Sequence, residues 1–221
     1  VAQRLVEQVA SLTNTVRNRP IAIIPGQLTR SSDPGGFDSN LGNVIADAQL
    51  NFARTFGGAD ISFINSGSIR NDLPTGKQTQ NIAITFGDMY AVQPFGNSLL
   101  SMNLSGAQIR EVLQQQWQGR AVDDPKKLFI SQGLSYRWLS AATPDQRVQQ
   151  LTLNGQAIDL MRQYKVIVNN FLADGGDGFT VFKQGSDRKV IGKDLDALEA
   201  YLREPGAGLS AIKKDRVRRA D

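Results

Sequence analysis

Asn40-Leu41-Gly42-Asn43-Val44-Ile45-Ala46-Asp47-Ala48 opens a stretch that runs through Gly57-Gly58 into Ala59-Asp60-Ile61-Ser62-Phe63-Ile64 and ends on Asn65-Ser66-Gly67-Ser68-Ile69-Arg70. Its hydrophobic period changes along the way. Leu41, Val44, Ile45, Ala48 and Phe52 recur at helical spacing behind Asn40, which predicts a helix with Asn40 as its N-cap. The glycine pair stops that helix. The apolar run 59–64 reads as a buried strand, and Asn65-Ser66-Gly67-Ser68 as a tight turn. Helix, buried strand and polar turn in succession predict a mixed α and β chain.

The same reading extends in both directions. Upstream, Leu5, Val6, Val9, Leu12 and Val16 share one helical face, and Pro20 blocks continuation. Residues 1–20 are therefore expected to be a linker helix, with the domain proper over 21–221. Ile21 to Leu28 reads as an interrupted strand, and Thr29 to Ser39 as a loop. Downstream, strands are expected at 82–85, 98–104, 128–139, 148–153, 157–160 and 164–169, with Asn154-Gly155 marking a hairpin. Residues 87–96 read as irregular. Ser105 caps a helix through Trp117, and a last helix covers 195–202. Strands and helices do not alternate strictly enough for a doubly wound parallel sheet.

Composition removes several chemistries. The 221 residues include no histidine and no cysteine. A Ser-His-Asp triad needs an imidazole, and a Cys-His pair needs both missing types. Zinc sites draw mostly on the same two residues. Recognition of a molecule, rather than its transformation, is the expectation for this chain. The apolar fraction of 40% and charged fraction of 21% suit an ordinary globular protein, and a chain of this size buries roughly 70% of its unfolded surface without needing a disulfide. The net charge of +4 is mild. Much of it sits in Lys213, Lys214, Arg216, Arg218 and Arg219, which read as a solvated tail. Aromatics do not interleave with that cluster, so nucleic acid is not an expected partner. No apolar run reaches membrane-spanning length. No signal peptide is seen and the first residue is not Met, so the chain reads as a processed fragment.

Three segments carry candidate chemistry, each with a plain alternative. The turn Asn65 to Arg70 offers backbone N–H groups and a guanidinium suited to phosphate or carboxylate; it also reads as a polar turn with an exposed arginine. In Pro94-Phe95-Gly96-Asn97, Phe95 is either a core ring or a stacking platform, and Phe171 has the same two readings. The loop Leu172-Ala173-Asp174-Gly175-Gly176-Asp177-Gly178-Phe179 permits close approach of backbone to a ligand, or is a simple tight turn. Its aspartates do not make an EF-hand, whose twelfth position would be Gly185 here.

Taken in order, Asn40 to Ala48, Asn65 to Arg70, Phe86-Gly87-Asp88, Val92 to Asn97 and Asn170 to Phe179 resemble the C-terminal, substrate-binding domain of the 5′-nucleotidase family of periplasmic UDP-sugar hydrolases and ecto-5′-nucleotidases. The resemblance covers residues 21–202. It implies an α+β fold, a four-layer α/β/β/α sandwich. It implies that Phe95 and Phe171 sandwich a nucleobase, that Asp177 accepts from ribose hydroxyls, that Asn97 contacts the base, and that Asn65 and Arg70 face the ribose and phosphate. The family usually carries a basic residue about four positions before the Asn-Leu-Gly-Asn motif. This chain has Pro34 to Ser39 there, with Arg30 further upstream as the available cation. Ser66 and Ser68 stand where glycine is usual. The resemblance further implies a separate N-terminal metallophosphatase domain holding two divalent metal ions, no cofactor in this chain, and a periplasmic or secreted location. The other reading is a stand-alone, non-catalytic module for a nucleoside-like or other small molecule.

Overall fold

In the computed structural model the described residues are 13–32, 36–76, 80–204, 209 and 214–221. Eleven strands and five α-helices are used below. The strands are β1 Pro20–Ile24, β2 Ile61–Asn65, β3 Ile82–Thr85, β4 Ser98–Ser105, β5 Leu128–Ile130, β6 Leu134–Trp138, β7 Val148–Leu153, β8 Gln156–Ala157, β9 Gln163–Asn169, β10 Ser186–Lys193 and β11 Val217–Arg219. The helices are α1 Asn40–Phe52, α2 Phe86–Val92, α3 Gly106–Gln114, α4 Asn170–Ala173 and α5 Asp194–Arg203. The sequence-predicted linker helix lies mostly outside the described residues; residues 13–17 are helical and exposed.

The central sheet has five strands in the order β10-β4-β9-β2-β5. β2 runs parallel to β9, while β4–β9, β4–β10 and β2–β5 are antiparallel. Its two faces feed separate cores. Phe63, Met102, Leu104, Val166 and Val168 join Trp117, Tyr136 and Val148 on one side, where α3 and the second sheet, β11-β6-β7-β8, are placed. Ile64 and Phe129 join α1, α5, β1 and β3 on the other. Burial of these apolar side chains is the main force holding the layers. This is the mixed α and β fold that the residues predict, in the layered arrangement that the resemblance implies.

Helix α1 touches the sheet so closely that a Cβ on Gly42 would overlap the Phe129 ring. Its cap differs from expectation. Ser39 Oγ accepts from the Gly42 N–H at 2.8 Å, and Asn40 instead turns its Oδ1 toward the Thr29 N–H at 2.6 Å. Serine caps as well as asparagine, so the cap moves one residue upstream and Asn40 is freed to tie down the preceding loop.

Four other expectations need correction. The strand read over 128–139 is two strands in two sheets. Gly133 adopts φ +88, and Asp47 Oδ1 captures the Gln132 N–H at 2.7 Å, so the chain turns there. The segment 87–96 is not irregular throughout: Thr85 and Asp88 form a reciprocal capping box that starts α2. Strand β10 was not read at all. The basic tail is only partly solvated. Val217 to Arg219 pair in parallel with β6, and the Arg216 guanidinium forks onto Asp47, with Nη2–Oδ2 at 2.6 Å and Nη1–Oδ1 at 2.8 Å. Asn154-Gly155 does turn β7 into β8, with both residues at positive φ.

Candidate functional site

The sheet topology gathers the candidate residues at one edge. β2 and β9 are parallel, so Asn65 and Asn169 end at the same edge. β4 is antiparallel to β9, with Leu99 opposite Asn169, so the segment before β4 begins there too. Antiparallel β5 starts opposite Asn65, and β10 ends opposite Ser98. The turn after β2, the Phe95 loop before β4 and the glycine-rich loop after β9 therefore meet. Loops outside the ends of sheet strands are where open α/β sheets place ligands.

They enclose a cavity of about 300 Å³ lined by Asn65, Gly67, Ser68, Arg70, Phe95, Asn97, Phe171 and Asp177. Six of the seven sequence-predicted residues are in that lining. Phe95 is 55% exposed and Phe171 44% exposed. Neither ring is a core residue. Both are fixed at their bases. The Ser98 N–H donates to Asn170 Oδ1 at 2.9 Å, tying the start of β4 to the residue before Phe171. A Cβ on Gly176 would come within 2.5 Å of Phe171 Cε1, so only glycine lets the ring sit where it does. Gly96 sits at φ +60, a left-handed conformation that glycine adopts readily. Arg70 lies over the Phe95 ring, Cζ 5.9 Å from the centroid.

The polar floor is a chain of hydrogen bonds. Asn65 Nδ2 donates to Asp177 Oδ2 at 2.8 Å. Asn65 Oδ1 accepts from Ser68 Oγ at 2.6 Å. Asn169 Nδ2 donates to Ser68 Oγ at 3.2 Å, while its Oδ1 caps α4 through the Leu172 N–H at 2.8 Å. Asp177 holds φ +57 between Gly175 and Gly178, both also at positive φ. Lys126 Nζ donates to the Asp177 carbonyl at 3.0 Å and braces the loop. The outcome is a carboxylate aimed into the cavity, with one oxygen oriented by an amide and further acceptor capacity left.

Two expected residues sit differently from the simplest reading. Asn97 lines the cavity, but its carbonyl accepts from the Asp194 N–H at 3.1 Å, at the start of α5. Burial holds the Asp194 carboxyl above its ordinary range despite the Leu195 N–H that donates to Oδ1 at 2.8 Å and the Asn97 groups beside it. Arg30 is outside the aromatic cavity. Its Nη1 donates to the Arg70 carbonyl at 2.6 Å, and its side chain lines a neighbouring cavity of about 590 Å³. Sequence reasoning missed Ser68, Asn169 and Lys126. The signal for Asn169 was present, because an Asn-Asn pair follows the apolar run Val166 to Val168. Among the described residues no group of three or more Asp or Glu is placed to hold a metal ion, and no helix is long and apolar enough to cross a membrane.

Residues 14–184 match the family model described as 5′-nucleotidase, C-terminal domain. Cell wall protein Lmo0130 of Listeria monocytogenes is 35% identical over 180 residues, which are 79% of this chain and 22% of that protein. The trifunctional nucleotide phosphoesterase protein YfkN of Bacillus subtilis is 33% identical over 188 residues, 82% of this chain and 12% of that protein. Among solved structures, the 5′-nucleotidase precursor of Thermus thermophilus superposes with a TM-score of 0.77 at 31% identity, covering 99% of this chain and 43% of that one. The chain thus spans less than half the length of each of these relatives.

Proposed function

This chain belongs to the 5′-nucleotidase C-terminal domain family, and from that premise we propose that it binds the nucleoside part of a nucleotide in the cavity between Phe95 and Phe171. The observation that carries the reading is two exposed phenyl rings and a carboxylate lining one small cavity. A heterocycle stacks on such rings with about 1–3 kcal/mol per base and little preference among bases. Asp177 accepts from the ribose hydroxyls, and charge-assisted bonds of this kind are stronger than neutral ones. Asn65 orients that carboxylate, and Arg70 supplies a cation at the same wall. The name of the Bacillus relative, a nucleotide phosphoesterase, supports a nucleotide as ligand.

The chain holds the substrate while a metallophosphatase domain, outside these residues, carries out the hydrolysis. The two metal ions implied for that domain find no fit here, since the chain has no histidine and its described acidic residues form no metal-holding group. The role left to this chain is to bind the nucleoside and orient its phosphate. The Listeria relative, named as a cell wall protein, supports a location outside the cytoplasm, periplasmic or secreted.

Calorimetric titration of the 221-residue chain with adenosine and AMP tests the reading. Binding is expected, weakened by Phe95→Ala or Phe171→Ala, with no hydrolysis of AMP by the chain alone. Absence of heat up to millimolar ligand overturns it.

A further inference from the structure

The glycine-rich loop that carries Asp177 is strained and needs fixed ends. Gly175, Asp177 and Gly178 hold φ of +79, +57 and +86. A left-handed residue other than glycine costs free energy and persists only where its surroundings over-determine it. Bonds within the loop are local and long: the Gly178 N–H donates to the Gly175 carbonyl at 3.3 Å, and the Phe179 N–H to the Gly176 carbonyl at 3.1 Å. The shorter bonds come from strand β10. Arg188 Nη2 donates to the Ala173 carbonyl and to the Phe182 carbonyl, each at 2.6 Å. Ala173 ends α4, and Phe182 lies in the helical turn that follows the loop. One guanidinium nitrogen thus ties the chain on both sides of residues 174–181. Arg188 Nη1 lies 3.6 Å from Oδ1 of Asp174, the first residue of that span.

An irregularity in β10 brings Arg188 there. Ser186 stands opposite Asn103 and Lys189 opposite Ser101, so β10 has one residue more than β4 over that interval. Asp187 takes φ +51, and its Oδ2 accepts from Asn103 Nδ2 at 2.8 Å. A β-bulge of this kind re-aims a side chain and bends the strand that bears it. Arg188 is the side chain so aimed, and it is partly buried under the loop although β10 is an exposed edge strand. We propose that Arg188 is a positioning residue for the nucleoside: from the β10 bulge it holds the Asp177 loop against α4, so that the carboxylate meets the sugar while Phe171 meets the base. The proposal rests on the reading of the aromatic cavity and extends it to a residue outside that cavity's lining. Arg188 acts on Asp177 more than on Phe171. Phe171 has anchors of its own in the Asn169 cap of α4 and the bond from Ser98 to Asn170. Asn65 and Lys126 hold the middle of the loop by one bond each, and Arg188 holds its two ends. A loop ordered before the ligand arrives costs less on binding than one the ligand must order.

The test measures adenosine and 2′,3′-dideoxyadenosine binding by calorimetry for wild type, Arg188→Met and Arg188→Lys, with the thermal midpoint of each variant as the check on folding. Methionine keeps an apolar stem and removes every donor. Arg188→Met is expected to weaken adenosine about tenfold, as for one charged hydrogen bond displaced. Dideoxyadenosine offers Asp177 no 2′ or 3′ hydroxyl and is expected to bind as in wild type. Arg188→Lys, whose ammonium carries three donors and can serve both carbonyls, is expected to recover most of the loss. An unchanged adenosine preference in Arg188→Met overturns the proposal. So does an equal loss of both nucleosides, the mark of a general structural defect. If Arg188→Met does not fold, Asn103→Ala, which releases the bulge at an exposed bond, carries the same expectation and the same refutation. Amide hydrogen exchange reads the brace without a ligand: the Gly178 and Phe179 amides should exchange faster in Arg188→Met while the sheet amides do not. If wild type binds no adenosine, the base-binding reading fails and exchange decides the brace alone; unchanged exchange then overturns both.

Discussion

Asn65 and Asp177 are 112 residues apart in sequence and joined by a single 2.8 Å hydrogen bond, Nδ2 to Oδ2. Each is placed by its own backbone. Asn65 ends a strand whose residues are all buried, and Asp177 occupies a left-handed position between glycines. The bond fixes one carboxylate oxygen and leaves the other free to accept from a ligand.

That arrangement makes a prediction about sugars. Asp177→Ala should weaken adenosine binding by about tenfold or more, the loss of a charged hydrogen bond being roughly 1.5–3 kcal/mol. The same variant should bind adenosine and 2′,3′-dideoxyadenosine alike, while wild type prefers adenosine. Asn65→Ala should fall between the two, since the carboxylate remains but is no longer oriented. Calorimetry with the two nucleosides decides it. An unchanged preference in Asp177→Ala would show that the carboxylate does not meet the sugar.

The packing of Gly176 against Phe171 gives a second. A methyl group at 176 would lie 2.5 Å from Cε1 and 2.6 Å from Cδ1 of that ring, so Gly176→Ala should push the ring from its place. Because the ring is 44% exposed, the fold should tolerate the change within about 1 kcal/mol, as for surface substitutions. Base affinity should fall nearly as far as in Phe171→Ala, and the two substitutions together should cost little more than either alone, because they remove one interaction. Additive losses would show that Gly176 and Phe171 act separately.

The buried ion pair gives a third. The Asp47 side chain is 2% exposed and that of Arg216 11%. Arg216→Met should therefore leave an uncompensated buried carboxylate and destabilise by about 3–5 kcal/mol. Asp47→Asn combined with Arg216→Met should recover part of the loss, seen as a higher urea midpoint than in Arg216→Met. Equal stability of wild type and Arg216→Met would mean that the C-terminal strand adds little to the fold.

That ion pair also shows what a sequence can and cannot disclose. Local signals read well: Asn154-Gly155 turned a hairpin, Ser105 capped its helix, and the run 164–169 was a buried strand, because each depends on neighbours a few residues away. Six of the candidate residues were named from motif order, and the sheet edge collects them. What stayed hidden depends on distant partners. Nothing near Arg216 announces Asp47, and nothing near Gln132 announces that an aspartate on α1 will bend the chain there. The exposed character of Phe95 and Phe171 was equally unreadable, because a phenylalanine between turn residues looks the same in a core or at a rim.

The last prediction concerns pH and a carboxyl on the far side of that ion pair. Burial raises the Asp38 carboxyl above its ordinary 3.8, outweighing the Val217 and Arg216 N–H groups that donate to Oδ2 at 3.1 and 2.7 Å and the attraction of Arg216. An acid whose folded value is raised binds its proton more firmly folded than unfolded. Its contribution to stability is then fully present below the unfolded value and declines as pH rises through the folded one. Asp38→Asn has no proton to lose, and its amide oxygen keeps an acceptor for the two N–H groups. The stability of Asp38→Asn relative to wild type should therefore grow as pH rises from about 3.8 and level off once wild-type Asp38 is fully ionised. Urea unfolding of both proteins across that range measures the difference directly. A difference that stays constant with pH would mean that the Arg216 charge and the two backbone donors compensate fully for burial, and that Asp38 is ionised in the folded protein as readily as in the unfolded chain.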